Sequence, residues 1–196
     1  MASEKFKGLT NSKNFLSGLV LFFLAAGIAG CATLEPIEVR EEKYGKAVPV
    51  IRQSFASKQI QPGDTWKIYF NAYHPDGEMK NIVCTIDQPG MVTYPPSFTR
   101  IKEENRKELS GYIYLNTMSP DDLTFVNISL TVQIQDNTGH YSQPTVFPLS
   151  FHSTFQQEPP PAGIFKNKDL GPIMITLRTP EEGESLDIFK RFPFRH

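Results

Sequence analysis

From about residue 48 to residue 155, hydrophobic and polar side chains alternate with a period of two. Trp66, Ile68, Phe70 and Ala72 stand against Lys67, Tyr69, Asn71 and Tyr73. Val126, Ile128, Leu130, Val132 and Ile134 alternate still more cleanly with Asn127, Ser129, Thr131, Gln133 and Gln135. Successive residues of a strand project to opposite faces, so this pattern predicts strands that are buried on one side and wet on the other. Weaker runs of the same kind cover 48–55, 81–87, 108–116 and 145–153. Turn signals separate them: QPGD at 61–64, HPDGE at 74–78, QPG at 88–90, SPDD at 119–122 and DNTGH at 136–140. Strands at this spacing, with no helical interlude, predict an all-β fold, an antiparallel β-sandwich.

Composition agrees with one packed domain. Aromatic residues make up 12% and apolar residues 39% of the chain, and its 16 prolines and 13 glycines suit a strand-and-turn protein. A formal net charge of −1 excludes electrostatic binding to nucleic acid. Two cysteines, Cys31 and Cys84, cannot build a disulfide framework.

The first 30 residues have a different character. Lys5, Lys7 and Lys13 precede an uncharged stretch whose apolar centre runs from Phe15 to Ile28. As a helix that centre would be roughly 21 Å long, short of the ~30 Å hydrocarbon core of a bilayer. A basic start, a short apolar centre and small residues at the end describe a secretory signal rather than a spanning helix. Cys31, at its end, reads as a core residue, half of a disulfide, a catalytic thiol or a residue used in processing. Ile28-Ala29-Gly30-Cys31 resembles the lipobox of bacterial lipoproteins, in residue type and in position. The resemblance implies cleavage between Gly30 and Cys31, a diacylglyceryl thioether on the Cys31 sulfur, acylation of the new amine and hence a membrane partner. Several acyl chains are needed, because one chain alone holds a protein only marginally. Ala32 stands where the family's inner-membrane retention residue is Asp, which implies outer-membrane sorting in a two-membrane cell. Loss of residues 1–30 removes three lysines and one glutamate, and moves the formal charge from −1 to −3.

Residues 32–47 mix charges of both signs without an apolar period, and read as a flexible tether of about 16 residues with a reach of roughly 50 Å. A first helix across EVREEKYGK is the other reading. Beyond them, PGDTWKIYFNAYHPDGEM and LTVQIQDNTGHYSQP resemble bacterial immunoglobulin-like domains over about residues 48–155. The resemblance implies strands A 48–55, B 65–73, C 79–87, E 108–116, F 123–135 and G 144–153, with an obscure D strand in 91–101. It also puts Trp66 and Cys84 in the core, Cys84 between Ile82 and Ile86. His74 departs from relatives that carry an acid there to hold calcium. The sandwich domain is taken as 48–157.

On this scaffold the turns at 74–78 and 136–140 share one end. They bring together His74, Asp76, Glu78, Asp136, Asn137 and His140, which could hold calcium or a transition metal or could simply satisfy tight turns. No nucleophile elbow, H-E-x-x-H, C-x-x-C or phosphate loop occurs, so neither an enzyme nor a cofactor is expected. Tyr69, Tyr73, Tyr112, Tyr114 and Phe125 would face outward. They form either a platform for a sugar or protein or a surface covered by the C-terminal segment. That segment is a proline-rich link and one further strand over 158–180, with Ile173, Ile175 and Leu177 opposite Met174, Thr176 and Arg178. Residues 181–196, with Phe189, Phe192 and Phe194 among basic residues, are a flexible tail or a partner-docking peptide. The function expected is a non-catalytic envelope lipoprotein whose domain binds or scaffolds an envelope protein. The alternative is a module for cell-wall or other polysaccharide, with a metal-dependent enzyme or sensor behind it.

Overall fold

The computed structural model describes residues 35–89, 94–117 and 126–178. The chain divides into two units, residues 1–36 and 37–196, and the second holds every described strand. Cys31, Gly30, Phe125 and the tail at 181–196 lie outside the described residues.

Among the described residues the elements are a helix α1 (Ile37–Tyr44), a short 3-10 helix (Glu103–Asn105) and nine strands: β1 (Val50–Ala56), β2 (Gln59–Ile60), β3 (Thr65–Tyr73), β4 (Met79–Asp87), β5 (Ser97–Arg100), β6 (Glu108–Asn116), β7 (Asn127–Asp136), β8 (Thr145–Phe151) and β9 (Asp169–Pro172). They form two sheets, ordered β1-β3-β6-β9 and β2-β8-β7-β4-β5. The strands that the resemblance implies at 65–73, 79–87 and 108–116 have those borders, and the alternating runs lie within them. Inward positions meet in register, Ile68 opposite Ile113 in the first sheet and Cys84 opposite Val132 in the second. Trp66, Phe70, Leu115, Ile82, Ile86, Leu130, Ile134, Leu149 and Phe151 fill the space between the sheets. The architecture is an immunoglobulin-like β-sandwich.

The first strand changes sheets midway. β1 pairs with β3, the chain bends at Ser57 and Lys58, and β2 then pairs in parallel with β8 in the other sheet. The buried Trp66 indole donates its Nε1–H to the Ser57 carbonyl at 2.8 Å, which ties down the crossing and satisfies the ring's one polar atom.

Two expectations need correction. The strand sought in 91–101 is β5, and it pairs with β4 rather than lying beside β6. The place beside β6 is taken by β9, in parallel, with Tyr112 opposite Asp169 and Tyr114 opposite Pro172. Gly111 makes this possible. A Cβ there would collide with the Lys168 carbonyl and come within 2.9 Å of Leu170 Cγ. The further strand expected after Gly171 has the expected facing, with Ile173, Ile175 and Leu177 buried and Met174 75% exposed. Its regular pairing nevertheless stops at Pro172. Beyond that point the chain bridges the sheets: Ile173 N donates to Tyr114 O at 2.7 Å and Met174 N to Ser97 Oγ at 2.8 Å.

The second correction concerns the tether, since residues 37–44 of it are helix α1. None of its side chains is buried, so no apolar stripe could announce it. Polar contacts with the sandwich hold it instead.

Candidate functional site

The turns at 74–78 and 136–140 do share one end of the sandwich. Asp136, buried, closes β7 and accepts backbone N–H bonds from Gly139 at 2.7 Å and His140 at 2.8 Å through Oδ1. Its Oδ2 lies 3.4 Å from Nε2 of the buried His74 and 3.4 Å from His140 Nδ1. His74 Nδ1 accepts the Asp76 N–H at 3.1 Å. That bond fixes the tautomer: Nδ1 holds the lone pair, and Nε2 carries the proton toward Asp136. A histidine with one nitrogen on a carboxylate and the other on a backbone N–H has no lone pair for a substrate proton. The pair therefore lacks the free nitrogen that a general base needs.

The remaining residues expected here are also engaged or set apart. Asn137 Nδ2 donates to Glu78 Oε2, and Asn137 N donates to the Glu78 carbonyl at 3.0 Å. The Asp76 carboxylate faces Gly45, just after α1. Among the described residues no group of three or more His, Cys, Asp or Glu is arranged to hold a metal ion. The cluster also seats α1: His140 Nε2 meets Glu41 Oε1 at 3.2 Å, and Thr138 Oγ1 donates to the Gly45 carbonyl at 3.4 Å. Sequence reasoning missed Glu41, because its partner lies 99 residues away.

The sheet aromatics are covered rather than presented. Tyr69 is only 8% exposed, with its ring 5.3 Å from Tyr112 and 5.9 Å from Phe165. Of the two readings the open platform is therefore corrected for Tyr69. Tyr73, Tyr112 and Tyr114 are half-buried, Tyr112 beneath the Lys67 ammonium at 4.6 Å and Tyr73 beneath the Arg52 guanidinium at 4.2 Å. The cover is a strap, residues 157–168, laid over the first sheet. Gln157 pairs its side-chain amide with the β3 backbone beyond the end of β1, to Lys67 N at 3.2 Å and Thr65 O at 3.0 Å. Asn71 Nδ2 donates to the Ile164 carbonyl at 3.0 Å, Lys166 N to Ser110 Oγ at 3.0 Å and Tyr112 N to the Lys168 carbonyl at 2.9 Å. An aromatic face this large is stabilised by burial, and the apolar Phe165 supplies it.

A cleft of about 660 Å³ remains between strap residues 163–166 and the end of the first sheet nearer α1. Arg52 and Gln53 of β1, Asn71 of β3, Glu108 and Ser110 of β6, and Lys166 of the strap supply its polar lining. No local motif marked these residues, since four separate segments contribute. Cys84, by contrast, is buried where expected, and burial pushes its thiol up to about 12, which leaves it a small inert hydrophobe at neutral pH.

No protein-family model matches the chain, and no curated protein does. Among solved structures the chain is similar to the PKD domain of an M14-like peptidase from Thermoplasmatales archaeon SCGC AB-540-F20. The likeness has 13% identity and a TM-score of 0.33, and covers 55% of this chain and 97% of that one. The fold assignment rests on strand order and register, not on that likeness.

Proposed function

We propose that this protein is a non-catalytic lipoprotein of the bacterial envelope, anchored through lipid on Cys31, whose immunoglobulin-like domain binds or scaffolds an envelope protein. One observation carries the address: a basic start, a short apolar centre and Ile28-Ala29-Gly30-Cys31 in sequence. Ala32 favours the outer over the inner membrane. The engaged nitrogens of His74 and the inert Cys84 thiol favour a binding role over catalysis. A protein partner is preferred to a polysaccharide, because flat recognition of sugar rings wants open aromatics and Tyr69 is covered.

Fractionation and crosslinking test this reading. The wild-type chain should enter the detergent phase at mature size and give a discrete crosslinked adduct with an envelope protein. Cys31→Ser should leave a larger, unprocessed precursor. Unchanged size and partitioning in that variant would contradict the anchor. Co-sedimentation with cell-wall polysaccharide and no protein adduct would favour the glycan module instead.

A further inference from the structure

We infer that the cleft between the strap and the first sheet binds a short peptide in its zwitterionic form, through that peptide's free carboxylate and free ammonium. The inference rests on reading the domain as a binding module, but it does not depend on the lipid.

Arg52, Lys166 and Glu108 all line the cleft, and among the described residues none has an ion-pair partner. Surface charges commonly stand alone, but here two cations and one carboxylate border a single concavity. Arg52 is also held in place. Its guanidinium lies 4.2 Å from the centre of the Tyr73 ring, which fixes the plane and leaves its edge donors free for a carboxylate. The strap is stiffened by Pro159, Pro160 and Pro161 and pinned by Lys166 N on Ser110 Oγ, so the cleft is formed before any ligand arrives.

These requirements sort ligand classes. A phosphate or nucleotide would satisfy Arg52 and Lys166 but would be repelled by Glu108. A neutral sugar would leave all three charges unpaired. A short peptide with free ends offers a carboxylate to the cations and an ammonium to Glu108. The volume falls within the range of ordinary small-ligand sites, about 300–1,000 Å³.

The test is a titration of the full lipidated chain in detergent micelles with trialanine, followed by amide chemical shifts. Saturable shifts at residues 52–53, 108–110 and 164–166 are expected, with a Kd of about 1 mM or tighter. N-acetylated and C-amidated trialanine should each bind at least about tenfold more weakly, as should the free peptide to Arg52→Glu; tenfold is about 1.4 kcal/mol. Arg52 is exposed, so that variant should fold, and Phe98→Ser on the other sheet should bind like wild type. No saturable shift would overturn the assignment, and so would equal affinity for the blocked peptides or an unaffected Arg52→Glu. Within a positive result, tighter binding of D-alanyl ends identifies a released cell-wall peptide with both ends free as the source, and of L-alanyl ends a released protein fragment. Neither failure touches the Cys31 experiment.

Discussion

Asp136 is buried because donors meet it: two backbone N–H groups from its own turn and the His74 ring. Removing the carboxylate would leave those donors unpaired where water cannot reach them all. Asp136→Ala should therefore destabilise the domain by about 3 kcal/mol, more than an ordinary turn substitution. Urea midpoints measure this, and a loss no larger than that of an exposed control such as Thr154→Ala would contradict it. The local part of this site was legible, since Asp-x-x-Gly-His is turn chemistry on its face. The role of His74 was not, because its partner lies 62 residues away and only the sheet register joins them. Cys84 is the simpler case, placed in the core by the strand that the family resemblance implies. Its thiol has an ordinary value of 9.0 and is raised to about 12 in the fold. Between those values the unfolded chain loses the proton and the folded chain keeps it, so this group's stabilisation is complete below pH 9.0 and is lost as pH rises through that window. The stability gap between wild type and Cys84→Ala should accordingly narrow from pH 8 to pH 10.5 in urea unfolding. A gap constant with pH would contradict the burial argument.

Elements were legible in proportion to how local their causes are. β3, β4 and β6 have period-two alternation bounded by turns, and their borders were readable. α1 and β9 have neither. α1 is held by side-chain contacts to the far turns, and β9 by a glycine in another strand that lets its backbone approach. Gly111 is thus the residue on which the strap's attachment turns. Gly111→Ala should destabilise the protein by about 1–3 kcal/mol, because the Lys168 carbonyl is backbone and cannot move aside as a side chain could. Limited proteolysis would then cut within 158–168 faster than in wild type, and an unchanged cleavage rate would contradict the docking. The sheet edges are also managed at this scale. β1 carries a register shift between Ile51 and Gln53, β2 has only two residues, and β9 ends in Pro172, all devices that discourage further strand pairing.

At the scale of the whole molecule, sequence and fold speak to different questions. Alternation specified a sandwich, but the order of its strands required the register, which puts the obscure strand sought in 91–101 beside β4. The cleft between strap and sheet depends on that corrected order, since β6 and the strap meet only because β9 follows it. The proposed cellular address is the reverse case, read from 31 contiguous residues and independent of the fold. The proposal is that the mature protein begins at a lipidated Cys31 and presents a binding domain to the envelope. Intact-mass and N-terminal peptide mass spectrometry of the protein extracted from membranes tests it most directly. The account predicts a chain that starts at Cys31 and carries a diacylglyceryl thioether and an acylated amine. An unmodified Cys31, whether inside an uncut chain or beside a cleavage elsewhere, would contradict it.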